Sequence, residues 1–253
     1  GGTEMGVFAK LADKIRAATE ERGYTCDLCG GEIFDYPVHR LCQNCMDKMP
    51  RIERFCQKCG RERVSDGVCL DCKARIPQFT QGFMPFVYRG RAAAAVNRMK
   101  TGAPSLALFF GEEIARVFAA RYDGDREEPL LVLPVPMTVA ARRERGYNQA
   151  ARLAEAVCKE LVRLGFIVET DGDVLQKRRE TAQQKHMSFT ERADNVAGAY
   201  HVHKRAACKG RKILLVDDIM TTGSTGSECA RRLFGAGASA VYFLAATALS
   251  ELK

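Results

Sequence analysis

The sequence contains no long apolar run. Its longest candidates, residues 130–141 and 241–249, fall short of the roughly 18 residues that a membrane-spanning helix needs. The amino-terminal stretch GGTEMGVFAKLADK also lacks the apolar core and the small-residue cleavage site of an export signal. We therefore expect a cytoplasmic protein without membrane insertion.

Acidic residues are too few to balance the basic ones in the second part of the chain. Residues 1–80 hold 13 Lys or Arg against 12 Asp or Glu, whereas the other residues hold 26 against 19. The formal net charge of +8 therefore lies almost entirely beyond residue 80. Such an excess is typical of proteins that bind nucleic acid or a phosphorylated small molecule, although many solvated surfaces are basic without a partner.

Cysteine, in contrast, is abundant and clustered. Eight of the 11 cysteines form four C-x-x-C pairs, which are Cys26 and Cys29, Cys42 and Cys45, Cys56 and Cys59, and Cys69 and Cys72. Two pairs complete the four-sulfur shell of a structural Zn²⁺ ion, and in a reducing cytosol such clustering favours metal over disulfides. We predict two structural zinc ions, each held by sequential pairs, with a cross-brace pairing as the alternative. Gly30 and Gly60 suit the tight turns because glycine tolerates positive φ.

The pattern changes after a linker near residues 73–83. SLALFFGEEIARVFAARY and YNQAARLAEAVCKELVRL each carry an apolar stripe at helical spacing. LLVLPVP, DVLQK, KILLV and AVYFLAAT are apolar runs of the kind that form a covered parallel sheet. We predict an α/β fold with a mostly parallel, doubly wound sheet over residues 77–253, a double zinc-ribbon domain over residues 26–76 and a helical segment over residues 1–25.

Two adjacent acids end one of these runs. Residues 213–216 would form a central strand that leads into Asp217 and Asp218, and ligands of open α/β sheets bind beyond the carboxyl ends of strands. The next residues, IMTTGST, turn into a helix and offer hydroxyls, a flexible Gly223 and backbone N–H groups that can cradle a phosphate. Carboxylates fit beside a phosphate if they accept hydrogen bonds from a sugar diol or if Mg²⁺ lies between. The combination predicts a sugar phosphate.

Three other interpretations compete for this stretch. Helix capping by Asp218 and Thr221 explains only one of the two carboxylates. A P-loop requires a lysine that the turn lacks. A receiver domain also begins with LLVDD but needs a phosphoacceptor aspartate further on, and none of the 35 residues after Asp218 is aspartate.

The stretch ILLVDDIMTTGST resembles the signature of the type I phosphoribosyltransferases, which bind 5-phosphoribosyl-1-pyrophosphate (PRPP) with Mg²⁺. The resemblance implies that Asp217 and Asp218 are the catalytic acids and hold the ribose hydroxyls. It also implies that the 5′-phosphate is wrapped by Met220, Thr221, Thr222, Gly223, Ser224 and Thr225.

The whole chain resembles the ComF family of competence-associated, phosphoribosyltransferase-like proteins. The resemblance rests on the order of a cysteine-rich head, VPMTVAARRERGYNQA, LQKRRETAQQKHMSFTERADNVAGAY and the acidic signature. It implies a role in natural transformation or DNA utilisation, contact with single-stranded DNA, and a helicase-like ATPase partner that could recruit the protein to a membrane uptake machinery. Either phosphoribosyl transfer to an unknown acceptor or a non-catalytic DNA-binding or PRPP-sensing adaptor would fit.

The resemblance also implies roles for two further motifs. The pyrophosphate loop would comprise Pro136, Met137 and Thr138, followed by Arg142, Arg143 and Arg145, whose guanidinium groups suit phosphate oxygens. A solvated basic helix start is the alternative. The loop that closes over PRPP would contain Arg178, Arg179, Gln183 and Gln184, and an ordinary surface loop is the alternative there.

Residues 86–102 occupy the place of the part that selects the acceptor. Phe86, Tyr88 and Lys100 could contact a base or nucleic acid by stacking and charge, although an aromatic residue at the foot of a strand is more often part of the core. The sequence offers no set of residues that identifies a nucleobase.

Overall fold

The computed structural model describes residues 25–33, 39–178 and 196–250. The predicted amino-terminal helical segment therefore lies outside the described residues, except for Thr25. The chain divides into two compact units, Gly1–Lys48 and Met49–Lys253. This division falls between the second and third cysteine pairs, within the residues 26–76 for which the sequence predicts a single zinc-ribbon domain. The predicted domain limits themselves stay a prediction.

A six-stranded parallel sheet forms the centre of the second unit. Its strands are β1 (Gln81–Phe83), β2 (Phe86–Val87), β3 (Leu130–Pro134), β4 (Val168–Thr170), β7 (Lys212–Met220) and β8 (Ala240–Ala248). Their order is β1-β8-β7-β3-β4, and β2 also pairs with β8. Every pair is parallel. Because the three longest strands coincide with LLVLP, KILLV and AVYFLAAT, the predicted parallel sheet is confirmed.

The fourth apolar run behaves differently. Within DVLQK, β5 (Leu175–Lys177) pairs antiparallel with β6 (Tyr200–Val202) in a separate two-stranded ribbon. The prediction that DVLQK joins the parallel sheet is therefore wrong. The physical reason is that only one face of this strand is covered, because Leu175 is buried whereas Gln176 is exposed. A strand of a covered parallel sheet is buried on both faces.

Helices cover both faces of the sheet, as a doubly wound fold requires. They are α3 (Gly90–Thr101), α4 (Leu106–Arg121), α5 (Val139–Arg145), α6 (Gln149–Arg163) and α7 (Ser224–Gly235). Two short helices, α1 (Gln43–Asp47) and α2 (Leu70–Ala74), belong to the cysteine clusters. Ile213 and Leu215 share a buried cluster with Cys229 of α7. Side chains alternate along a strand, so the equally buried Leu214 and Val216 point to the opposite face, where α6 packs on β7.

The two predicted amphipathic helices are confirmed. In α4 the stripe residues Leu106, Phe109, Phe110, Ile114 and Phe118 are buried, and Val117 is half-buried. The helices α4 and α6 pack closely, because a Cβ added at Gly111 would lie 2.3 Å from Ala156 Cβ. In the described part of the chain, no helix is both long and apolar enough to cross a membrane.

Candidate anion site and metal centres

The predicted acid pair and the predicted pyrophosphate loop lie next to each other, toward the carboxyl ends of β7 and β3. Pro134 pairs with Val216, and Val135 N donates a hydrogen bond to Val216 O at 2.8 Å just beyond the pair. Asp217 and Asp218 therefore lie beside the segment that follows β3. They stand within β7, which continues to Met220 instead of ending at Val216 as expected, because it goes on pairing with β8. This is the edge at which ligands of open parallel sheets bind.

The Asp218 carboxylate is held by a lysine. Lys100 Nζ lies 2.8 Å from Asp218 Oδ2, and both side chains are partly buried. Lys100 stands in the last turn of α3, in the segment expected to select the acceptor. The backbone N–H of Asp218 donates a hydrogen bond to Asp217 Oδ1 at 2.9 Å. Sequence reasoning named Lys100 but missed its pairing, because this contact joins residues far apart in the chain.

The half-buried Asp217 is a weak acid in this setting. Burial and the neighbouring Asp218 charge raise the pKa of Asp217 to about 8, although Lys100 acts in the opposite direction. At neutral pH the Asp217 carboxyl therefore holds its proton and can donate a hydrogen bond. Together with the Lys100–Asp218 ion pair, this leaves the acid pair with little net charge before a ligand arrives.

The turn after β7 has the form of an anion cradle. Gly223 adopts φ 78° and precedes the 12-residue helix α7, and Met220 before it is buried. The N–H groups of a first helical turn have no partner within the helix. Ser224 N donates to Thr222 Oγ1 at 3.4 Å, whereas the N–H groups of Thr225 and Gly226 find no partner among the described residues.

Two stacked rings support this turn from below. A Cβ added at Gly223 would lie 3.6 Å from Phe79 Cε1, and one at Gly226 would lie 2.8 Å from Phe243 Cδ2. The ring centroids of Phe79 and Phe243 are 5.4 Å apart, and the ring planes differ by 26°. Sequence reasoning missed both aromatic residues, although a glycine within the first turn of a helix was a signal of close packing.

The turn is open to a guest on one side. A cavity of about 410 Å³ lies next to it, and its lining includes Thr222, Ser224 and Ser227 together with Arg75 and Arg231. Hydroxyl groups and guanidinium groups thus border the cradle.

The predicted pyrophosphate loop lies next to a larger cavity. Pro136, Met137 and Arg142 line a cavity of about 740 Å³. Arg142 and Arg143 are exposed, while the Arg145 side chain lies outside the described part of the structure. Thr138 is buried and caps α5, because its hydroxyl accepts a hydrogen bond from Ala141 N at 3.2 Å.

Two residues that sequence reasoning missed fix the position of this loop. Asn148 Nδ2 donates to Val135 O at 3.3 Å, and its Oδ1 accepts from Ala150 N at 3.0 Å at the start of α6. The hydroxyl of Tyr147 donates to Met99 O, one residue before Lys100. The loop and the end of α3 are thereby tied together.

Only one residue of the predicted closing loop can be placed. Arg178 is exposed at the open end of the β5–β6 ribbon, where its N–H donates to Ala199 O at 2.9 Å. Arg179, Gln183 and Gln184 lie outside the described residues, so their contacts with a ligand stay predictions.

Phe86 belongs to the core. Its side chain is fully buried and stacks on Phe109 with the ring centroids 5.7 Å apart. The core interpretation of Phe86 is therefore confirmed. Tyr88 is half-buried, and its hydroxyl donates to Asn97 Oδ1 at 3.1 Å.

The eight paired cysteines form two clusters in the predicted sequential arrangement. The first cluster is Cys26, Cys29, Cys42 and Cys45, and the second is Cys56, Cys59, Cys69 and Cys72; within each, the Sγ atoms lie within 4.8 Å of one another. Both clusters combine a tight turn with a short helix, α1 (Gln43–Asp47) or α2 (Leu70–Ala74). Gly30 and Gly60 adopt φ 75°, as predicted for the turns.

The sulfur geometry fits a tetrahedral metal. A tetrahedron with metal–sulfur bonds of about 2.3 Å has sulfur–sulfur edges of about 3.8 Å. Cys29 Sγ and Cys42 Sγ are 3.7 Å apart, and Cys59 Sγ and Cys69 Sγ are 3.6 Å apart. Four thiolates leave no open position, so both clusters suit a structural ion such as Zn²⁺.

The second cluster has a cation beside it. The buried Arg61 lies with Nη2 2.8 Å from Asp71 Oδ2 and 3.9 Å from Cys69 Sγ. A guanidinium in this place offsets part of the negative charge that four thiolates would give a bound divalent metal.

No family model matches the chain. It is 25% identical over 212 residues to the competence protein ComFC of Bacillus subtilis, which covers 81% of this chain and 82% of the relative. It is also 25% identical over 207 residues to the DNA utilization protein YhgH of Escherichia coli strain K12, with 79% and 87% covered.

Among solved structures, a hypoxanthine phosphoribosyl transferase of Trypanosoma cruzi shares 16% identity at a TM-score of 0.35. The match covers 54% of this chain and 62% of that chain, less than two thirds of its length. A likeness this weak supports no argument about the site. The matches to ComFC and YhgH, in contrast, cover 81% and 79% of this chain. The ComF resemblance predicted from the sequence is confirmed, and the chain is similar to proteins named for competence and for DNA utilisation.

Proposed function

We propose that this chain binds PRPP at the carboxyl end of β7 and acts in DNA uptake or DNA utilisation. One observation carries the proposal. Two carboxyl groups, a helix amino terminus with a glycine turn, and a basic loop from the neighbouring strand all lie at one edge of a parallel sheet. A phosphorylated pentose with a second phosphate group presents matching chemistry to each of these parts.

Each part of the site would take one part of the ligand. The N–H groups of Thr225 and Gly226 would bind the 5′-phosphate, with the hydroxyls of Thr222 and Ser224 beside them. The carboxyl groups of Asp217 and Asp218 would bind the ribose diol. Arg142 and Arg143 are exposed near Pro136 and could fold onto the pyrophosphate.

Magnesium fits this donor set only in part. Carboxylate oxygens are suitable Mg²⁺ ligands, but Lys100 already neutralises Asp218 and the pKa of Asp217 is raised to about 8. When bound with PRPP, Mg²⁺ would supply positive charge to the departing pyrophosphate. The acid pair would therefore receive Mg²⁺ together with the ligand rather than before it.

The reaction supported by this arrangement is phosphoribosyl transfer to an acceptor that is still to be identified. The C1–oxygen bond to pyrophosphate breaks, the acceptor atom bonds to C1, and the arginine side chains bind the departing anion. The transition state carries positive charge at C1, so the protein does not need to supply a covalent nucleophile. A cytoplasmic location and contacts with single-stranded DNA and a helicase-like ATPase are part of the same proposal.

Calorimetry tests the binding step. PRPP with Mg²⁺ should bind the wild-type protein, and Asp217→Ala combined with Asp218→Ala should weaken binding by about a hundredfold, because two hydrogen-bonding carboxyl groups are lost. The matched control is Asp123→Ala, an exposed acid in the segment before β3, at the amino-terminal end of that strand. Absence of wild-type binding, or equal binding in the double variant, would reject the site.

A second candidate function is a non-catalytic adaptor that binds single-stranded DNA. The exposed pair Arg142 and Arg143 and the basic excess beyond residue 80 favour it. Oligonucleotide binding should then weaken as salt rises, with a logarithmic slope of about −0.7 per phosphate contact. Binding that survives the double aspartate variant but is lost in Arg142→Ala with Arg143→Ala would favour the adaptor, and salt-insensitive or absent binding would exclude it.

A further inference from the structure

The second cysteine cluster is connected to the segment at residues 78–82. Lys58 lies inside the first C-x-x-C pair of this cluster, between Cys56 and Cys59. Its Nζ donates hydrogen bonds to Phe79 O at 2.5 Å and to Thr80 O at 3.0 Å. In return, Gly82 N donates to Lys58 O at 3.0 Å. One side chain and one backbone group of the cluster thus hold residues 79–82.

The two backbones also touch directly. A Cβ added at Gly60 would lie 2.3 Å from Gly82 O, and a Cβ added at Gly82 would lie 2.3 Å from Cys59 O. Real Cβ atoms do not approach other atoms so closely, so both positions require glycine. A shift of the C-x-x-C turn is therefore transmitted to β1 without any intervening flexible side chain.

The same segment reaches the anion turn at its other end. Gln78 N donates a hydrogen bond to Ser227 Oγ at 3.3 Å in the first turn of α7. The Phe79 ring packs under Gly223 and stacks on Phe243, which in turn packs under Gly226. Phe79 is also fully buried in one cluster with the four cysteines and Met220. The path from the cysteines to the turn thus consists of buried or hydrogen-bonded contacts throughout.

We propose that the second cysteine cluster positions the anion-binding turn, with Lys58 and Phe79 as the positioning residues. When the four thiolates are held together by a metal, Lys58 is fixed and holds the Phe79 ring under Gly223. Without the metal, the C-x-x-C turn loosens and the cradle loses its support. The effect on ligand affinity rests on the proposed function, whereas the mechanical coupling does not.

Linkage makes the coupling reciprocal. If metal in the second cluster strengthens anion binding, then a bound anion must strengthen metal binding in that cluster by the same free energy. The first cluster provides an internal control, because it has the same build and lies in the other compact unit.

The experiment compares Cys59→Ser with Cys29→Ser in the zinc-loaded full chain. Both variants remove the second cysteine of a C-x-x-C turn, and native mass spectrometry should report one metal ion lost in each. Amide hydrogen exchange of residues 220–228 should then speed up about tenfold in Cys59→Ser and stay at the wild-type rate in Cys29→Ser. Equal exchange of these residues in the two variants would overturn the proposal.

A gentler variant covers the case in which Cys59→Ser does not fold. Lys58→Met keeps all eight paired cysteines, so metal content should stay at the wild-type level while exchange of residues 220–228 rises several-fold. Unchanged exchange in a folded, metal-loaded Lys58→Met protein would overturn the proposal as well.

Affinity is measured separately, with PRPP as the probe. Lys58→Met should weaken PRPP binding by about tenfold, within the usual range of coupling between sites. If the wild-type chain binds no PRPP, the proposed function fails, yet the exchange rates still decide whether the cysteine cluster positions the turn.

Discussion

Lys100 Nζ and Asp218 Oδ2 are 2.8 Å apart, and this contact joins the end of α3 to the acid pair of β7. The ammonium group occupies Asp218 Oδ2. In the proposed function, a diol or a cation that binds this oxygen would have to displace Lys100. The position of α3 and the occupancy of the acid pair are linked as a consequence.

Removing the lysine should expose this competition. In Lys100→Met, Asp218 loses its counter-ion, so Mg²⁺ alone should bind about tenfold more tightly than to the wild type, as expected for a nearby charge in a partly buried site. Calorimetry with MgCl₂ and no sugar phosphate measures this. Lys100→Arg keeps the positive charge and is the control, and equal Mg²⁺ affinity in wild type and Lys100→Met would show that Lys100 does not compete.

The protonation of Asp217 should appear in the pH dependence of stability. Its pKa rises from an ordinary value of 3.8 to about 8 on folding. The folded state therefore holds the proton more tightly, and this contribution to stability is full below pH 4 and is lost as pH rises toward 8. Between these limits the free energy of unfolding should fall by up to about 1.4 kcal/mol per pH unit from this group alone.

Asp217→Asn removes that contribution. Urea unfolding at several pH values between about 5 and 7 should show a shallower decline for Asp217→Asn than for the wild type. Parallel curves for the two proteins would mean that Asp217 ionises normally in the folded state.

Much of the site could be predicted from local sequence. The C-x-x-C spacings predicted the cysteine clusters, and the apolar run before Asp217 predicted the central strand. Both patterns involve residues that are close together in the sequence. The DVLQK prediction was wrong because two apolar residues in five do not distinguish a strand covered on both faces from a ribbon covered on one. Lys58, Phe79 and Lys100 could not be assigned their contacts, since each acts on residues distant in the chain.

Two glycines of α7 offer a matched test of the support under the turn. A Cβ at Gly226 would lie 2.8 Å from Phe243 Cδ2, whereas one at Gly235 would meet no atom within 4 Å. Gly226→Ala should therefore destabilise the fold by about 1–3 kcal/mol through overpacking. Gly235→Ala should be neutral or stabilising by up to about 1 kcal/mol. Similar unfolding free energies for the two variants would contradict this packing.

The two metal centres should differ in how quickly they lose metal. Cys29 of the first cluster is exposed, whereas all four cysteines of the second cluster are buried. A chelator should therefore remove one metal ion at least about tenfold faster than the other, because attack requires access to the thiolates. Zinc release followed by a colorimetric chelator should be biphasic, and Cys29→Ser should abolish the fast phase. A single phase in the wild type would contradict the prediction.

The place where the chain divides has a practical consequence for anyone who truncates it. A fragment starting at residue 77 contains all the predicted phosphate-binding motifs. It lacks Ile52 and the four buried cysteines of the second cluster, however, so Phe79 and Met84, which pack in the same buried cluster, would become exposed. Such a fragment should aggregate. A fragment starting at Met49 keeps that interior and is the better piece to express.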